Sequence, residues 1–406
     1  MWNKAVVLAL LCLLLNSNIG MAQTDQKLGQ IFKTIYGSEG LKVESEAVLN
    51  PGDRAHFPHF NAAFQTSFSA FNTALASQLT AVPLPSPASG FTYQYDAASG
   101  AFTRSTQSFG PILADRAETL GRRKFSVSFN YQRFSFDAIE GVDLKTVSAV
   151  FTHDSPELGG GRLDVVATQN SIEATVGQFT AFFNYGVADR IDVSVAVPTV
   201  RTSLSLTSEA AIQRLGTSDA AIHFYRNASG GFGTTKSYKS EGSKTGIGDL
   251  IFRVKGTALR REQVALAVGT DFRAPTGDEE NLLGSGAPGV KPFAALTFTH
   301  KRVAPHVNVG YQWNGNSVLA GDVATKTKAN LPDQFLYTFG VDVGATSRVT
   351  VAFDVLGQRV IDSPRLFAST DSFPCGAGIA CAGSSTPKTF ANIKFQQNQN
   401  FNVING

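Results

Sequence analysis

The chain has 406 residues, 43% hydrophobic and only 17% charged, with 38 glycines, 31 phenylalanines and a formal charge of +3. So few charges among so many aromatics exclude a disordered polymer, and so small a net charge gives no case for nucleic acid, which needs clustered basic stripes. A mean hydropathy of -0.03 is too polar for a bundle of membrane helices, but it is the average that alternating strands produce.

Residues 1–22 read as an export signal. Lys4 supplies the positive end, Ala5 to Leu15 an apolar run too short to span a membrane, and Gly20-Met21-Ala22 a small-residue cleavage site. Cys12 follows Leu11 where lipoprotein processing wants a small residue, so that route is set aside.

Residues 23–121 differ from everything after them. LGQIFKTIYGSEGL fits one short amphipathic helix, and the spacing of Phe60, Phe64, Phe68 and Phe71 predicts a second over Phe60 to Val82. A Pro-rich break follows at Pro83 to Gly90, then a small hairpin around Ala97 to Gly100. Apolar helices need a cover, so this segment is expected to be a plug or hatch; the competing reading is an extension with no transport role.

From Arg122 onward the sequence alternates with period two. In one arm Leu250, Phe252 and Val254 oppose Ile251, Arg253 and Lys255; in the next Val264, Leu266, Val268 and Phe272 oppose Ala265, Ala267, Asp271 and Arg273. Short turns are predicted at 187–190, 259–262, 301–305 and 345–348, and long loops at 207–244, 276–289, 315–332 and 358–387. Residues 137–170 form a further excursion with its own hairpin, VDLKTVSAVF against GRLDVVAT. Arms of about ten residues, with short turns at one end and long loops at the other, predict an all-β fold, a transmembrane antiparallel β-barrel over residues 122–406 with about ten spanning strands. Such barrels commonly close on an aromatic residue, whereas this chain stops at Asn-Gly. The barrel is therefore expected to be C-terminally incomplete and twelve-stranded when intact.

Cys375 and Cys381 are expected to form a disulfide in an oxidising compartment; a metal reading is weak, because no His or acidic cluster lies nearby. Inward-facing charges are the lumen-lining candidates, namely Asp192, Arg253, Lys255, Asp271, Arg273, Asp342 and Asp354. They line a polar path or pair into a lattice that holds strands and plug. Asp278, Glu279 and Glu280 read as a solvated acidic turn, not a calcium loop. His306 points inward among Ser-rich strands, but no hydrolase motif accompanies it, and GSKT at 242–245 lacks the spacing of a phosphate loop. An enzyme and a cofactor are not expected.

GIGDL at 246–250, followed by DFRAPTGDEENLLGSGAPG at 271–289, resembles the outer-membrane family named for the MetA-pathway of phenol degradation. SFGPILADRAETLGRRKFSVSFNYQRFSF at 108–136 and FNYGVADRIDVSVAVP at 183–198 fit the same group. The resemblance implies a channel of the bacterial outer membrane, related to FadL-type transporters and linked to uptake of hydrophobic or aromatic compounds. Its expected partners are outer-membrane lipid, the barrel-assembly machinery and a small hydrophobic or aromatic solute. The alternative is a structural or adhesive surface barrel whose long loops bind partners.

Overall fold

The computed structural model describes residues 27–37, 41, 43, 60–61, 72–73, 76–77, 91–96, 101–104, 114–139, 141–153, 164–216, 223–227, 229–346, 349–376, 378, 381 and 383–405. Residues 1–22, read above as an export signal, Phe64, Phe68, Phe71 and the hairpin tip at 97–100 lie outside them.

Twelve strands carry the fold. They are β1 (Lys124–Phe136), β2 (Val147–His153), β3 (Asp164–Ala188), β4 (Ile191–Arg214), β5 (Thr235–Ile247), β6 (Leu250–Arg260), β7 (Val264–Ala274), β8 (Gly289–Phe298), β9 (Val303–Asn314), β10 (Asp333–Gly344), β11 (Thr350–Phe373) and β12 (Lys388–Asn405). One curled antiparallel sheet runs β12-β11-β10-β9-β8-β7-β6-β4-β3-β1, then takes in Phe91–Asp96 and Ala101–Arg104 beyond β1. Ten strands on this path alternate up and down as a barrel wall. The other two, β2 and β5, extend the wall at the long-loop end by pairing with β3 and β4. At that end β12 approaches β2: the Val150 amide donates to Asn392 Oδ1 at 3.3 Å, and Val150, Val165, Leu215, Phe373 and Cys381 pack into the seam. Cys381 is disulfide-bonded to Cys375.

The two faces of the sheet follow from the alternation. Outward side chains of the short-turn half are large and apolar, from Val193 at 37% exposed to Tyr131 at 66%, with Phe129, Phe183, Phe252, Val268, Phe272, Trp313 and Phe353 between them. Inward positions hold Asp192, Arg253, Lys255, Asp271, Arg273, His306 and Asp342, each 9% exposed or less. A water-soluble sheet has the opposite arrangement. Oily residues outside and charges inside are the arrangement of a barrel wall suited to a hydrocarbon solvent.

Toward the long loops the arrangement reverses. The outward residues of β3 and β4 become Gln169, Ser171, Glu173 and Thr175, and Arg201, Ser203, Ser205, Thr207 and Glu209. Inward from them stand Ile172, Ala174, Leu204, Leu206, Ala210 and Ile212, all 5% exposed or less. This upper storey has polar residues outside and apolar ones inside, with a core of its own. A single-turn helix fills that core: a 3-10 turn (Leu28–Gln30) runs into Ile31–Thr34, and Leu28, Ile31, Phe32 and Tyr36 pack with Leu144, Phe151, Leu319, Leu331, Leu366 and Ile393.

The reversal corrects two loop predictions. Both ends of 207–244 are strand, because β4 runs to Arg214 and β5 begins at Thr235; residues 358–373 belong to β11. Above the apolar belt the outward face is polar, so polar residues there extend a strand where their composition suggested a loop. Residues 315–332 also carry a hairpin, Asn316–Asp322 against Thr327–Asn330. Phe60 is not helical: Phe60–Asn61 pairs with β2 at His153 and Thr152, while Asn72–Thr73 and Ala76–Ser77 are helical.

Candidate functional site

A single proline sets the interior geometry. Pro198 sits in β4 between β3 and the β5–β6 edge and has no N–H to give. Ile247 pairs with Thr199 and Ile251 with Ala196, so the β5–β6 side carries one residue more than β4 across this interval. The result is a bulge at Gly248–Leu250, the usual accommodation for an extra residue beside a proline. Gly248 still donates its N–H to Pro198 O, at 2.8 Å.

The bulge turns Asp249 inward, where it holds the loop after β7. Asp249 Oδ1 accepts from Gly277 N at 3.1 Å, and Oδ2 accepts from Ser285 N at 2.8 Å and Ser285 Oγ at 2.6 Å. The loop reciprocates: Thr276 Oγ1 donates to Gly248 O (2.8 Å) and accepts from Leu250 N (3.0 Å), satisfying the backbone groups that the bulge exposed. Gly277 and Gly284 cross so closely that a Cβ on Gly284 would collide with the Asp249 carboxylate and Gly277 Cα. The residues that carry the family resemblance are therefore one latch, which folds 276–287 into the lumen with 281–287 buried. Arg273 braces it, donating to Asn314 Oδ1 at 2.6 Å and Ala287 O at 3.3 Å. Asp278 caps the 3-10 turn Glu279–Asn281, and Asn281 Oδ1 accepts from Leu28 N at 3.3 Å, joining the latch to the N-terminal helix. Glu280 pairs with Lys27 and Lys326 at 3.7 and 3.2 Å.

Near the short turns, residues 114–120 form an extended strap along the inner wall. Wall side chains take up its backbone groups in succession. Its amides at Ala114, Asp115, Ala117 and Leu120 donate to Asp354, Asn308, Thr297 and Asp192 at 2.7–3.3 Å. Its carbonyls at Arg116, Ala117 and Glu118 accept from Lys255, Thr257 and again Lys255 at 2.8–3.1 Å. Ala117 packs on Ala265 and Ala267, whose small side chains let the backbone approach. Charges complete the arrangement. Arg253 binds both oxygens of Asp271 at 2.6 and 2.8 Å and reaches Asp115 at 2.6 Å; Arg116 meets Asp342 at 2.7 Å. Six of the seven lumen candidates thus touch the strap or its ion pairs, and Arg273 belongs to the latch. The paired lattice, rather than an unpaired polar path, describes them.

Thr297, His306 and Asp342 lie in line, Thr297 Oγ1 3.2 Å from His306 Nδ1 and Asp342 Oδ2 2.9 Å from His306 Nε2. The hydroxyl is covered by Ala117, whose amide it accepts, and Thr297 is 1% exposed. A substrate carbonyl has no approach to it while the strap is seated.

Between strap and latch the wall is less crowded. Phe293 faces inward between Gly269 and Gly310, its register partners, and the absence of side chains there gives its ring room to lie on the wall. The Arg253 guanidinium lies 4.8 Å from the ring centroid. Phe293, Leu336, Thr338 and Leu356 are only half-buried, an apolar patch within a polar interior.

The family described as "Putative MetA-pathway of phenol degradation" matches residues 153–405. The chain belongs to that family. No curated protein matches it. The matched span contains the whole Pro198–Asp249–Ser285 latch and every wall residue that holds the strap, while the strap itself precedes it. Sequence reasoning noted the latch only as a motif and missed Asp249, Thr276 and Ser285 as partners. The available signal was a lone Asp after Gly in the middle of a strand, opposite a proline.

Proposed function

We propose that this family member is an outer-membrane channel for small hydrophobic or aromatic compounds, exported by its N-terminal signal, with the N-terminal segment, residues 23–121, acting as its gate. The observation that carries the reading is the half-buried Phe293–Leu336–Leu356 patch, which offers an apolar resting place inside a charged lumen. Family membership and the lipid-facing belt support it. A solute with an aromatic ring and one polar group matches Phe293 beside Arg253. The lattice fixes the strap, so passage requires release of 114–120 or a route beside it. The protein is read as a conduit with no catalytic role.

A second reading, a closed structural barrel, is favoured by the dense upper core, where Phe32 and Phe151 are fully buried. Uptake of a labelled aromatic carboxylate into proteoliposomes separates the two. Flux through the full chain that rises when 23–120 is removed supports a gated channel. No flux in either form sinks the channel and leaves the structural barrel.

A further inference from the structure

The outer face of β1, β3 and β4 carries a feature that the channel does not use. Arg133 on β1 pairs in register with Gly177 on β3, and Gly177 pairs with Arg201 on β4. Two outward, exposed arginines therefore flank a residue with no side chain, two strand spacings apart, or about 10 Å. Among the described residues neither guanidinium has a carboxylate within ion-pair distance. The nearest outward acid on β3, Glu173, lies four residues further up that strand.

Height along the wall decides what this pair faces. From Ile191, at the short turn, to Arg201 is ten residues, about 33 Å of strand. Tilted by roughly 40°, that length rises about 25 Å, the height of the apolar band of such barrels. Just below the arginines stand Tyr131 and Phe179, 66% and 43% exposed; just above them stand Ser135, Thr175 and Ser203. The Tyr131 ring packs over Gly177, its Oη 3.2 Å from where a Cβ would stand, so the phenol hydroxyl reaches between the two arginines. The row thus combines two free guanidiniums, a phenol and several hydroxyls where hydrocarbon gives way to headgroups.

We propose that Arg133, Gly177 and Arg201 form a binding site for the phosphate of an anionic lipid in the leaflet at the long-loop end. The lipid tails lie on Phe129, Tyr131 and Phe179, and the two guanidiniums clasp the phosphate over the Gly177 notch. The site rests on the reading that the apolar belt sits in a membrane, and it is independent of whether the lumen conducts.

The test uses the full chain in detergent and native mass spectrometry of retained lipid, with dioleoyl phosphatidic acid and dioleoyl phosphatidylcholine as probes. The wild type is expected to retain phosphatidic acid roughly 30-fold better, as two basic side chains at a phosphate surface allow. The pair Arg133→Gln and Arg201→Gln removes that preference, the pair Arg133→Lys and Arg201→Lys keeps part of it, and Lys239→Gln, higher on the same wall, leaves it intact. Undiminished preference in the glutamine pair overturns the site, as does displacement of the lipid by equimolar inorganic phosphate. Flotation with phosphatidylcholine vesicles separates the failures. A wild type that floats without lipid preference refutes this site alone, and one that does not float refutes the membrane reading with it.

Discussion

Asp249 is one carboxylate answering three donors of the loop it holds. Asp249→Ala leaves Gly277 N and both Ser285 donors without this partner and is expected to lower stability by about 2–4 kcal/mol, read from the urea midpoint of the folded barrel. Asp249→Asn keeps one acceptor and should fall between. Tyr36 offers a pH test of the upper core. Its hydroxyl lies 2.8 Å from Ser208 Oγ, and burial pushes its pKa from 10.0 up to about 12. The neutral phenol is thus favoured in the folded state, and its contribution is complete below pH 10 and lost as pH rises toward 12. Tyr36→Phe should flatten that alkaline slope in a stability profile; an unchanged slope would assign it elsewhere. Phe293→Ala should reduce aromatic uptake while the barrel keeps its folded gel mobility, since the ring lies against Gly269 and Gly310 and its one described side-chain partner, Arg253, stays held by Asp115 and Asp271. None of these single-residue roles was legible in the sequence, because each depends on a partner tens to hundreds of positions away.

At the scale of elements, the strap is a peptide read by side chains. Thr257→Val with Thr297→Val removes both hydroxyls that satisfy Ala117, at about 1–3 kcal/mol for each buried backbone group left unpaired. The expected result is protease cleavage within 114–120 while the barrel keeps its folded gel mobility. Cleavage at the wild-type rate would show that the hydroxyls do not hold the strap. Arg253→Gln removes the guanidinium shared by Asp115 and Asp271, leaving Asp271 with Lys291 at 2.9 Å, and should cost about 3–5 kcal/mol, more than either threonine. Spanning strands were plain in the sequence, because lipid on one side and a lattice on the other impose strict period two. The upper halves of β4 and β11 were not, because there the outward residues leave the apolar belt and acquire the polarity of loops. Pattern reports the solvent on each face, and the solvent changes partway up the wall.

At the scale of the whole molecule, the two storeys make opposite demands on one face of one sheet. Val268→Arg, in the belt, should cost about 2–4 kcal/mol on refolding into vesicles, while Ser205→Arg, on the upper wall, should cost about 0–1 kcal/mol. Equal penalties would mean that the belt does not lie in lipid. The strap has a temporal implication as well. Its backbone partners stand 72 to 240 residues later in the chain, spread from β4 to β11. What the ribosome makes early must therefore wait for its cradle, and loop closure over such spans is slow compared with pairing of neighbouring hairpins. The neighbouring hairpins of the wall can therefore pair before the strap finds its partners, and the wall has to assemble around an N-terminal thread that is already inside or can still enter.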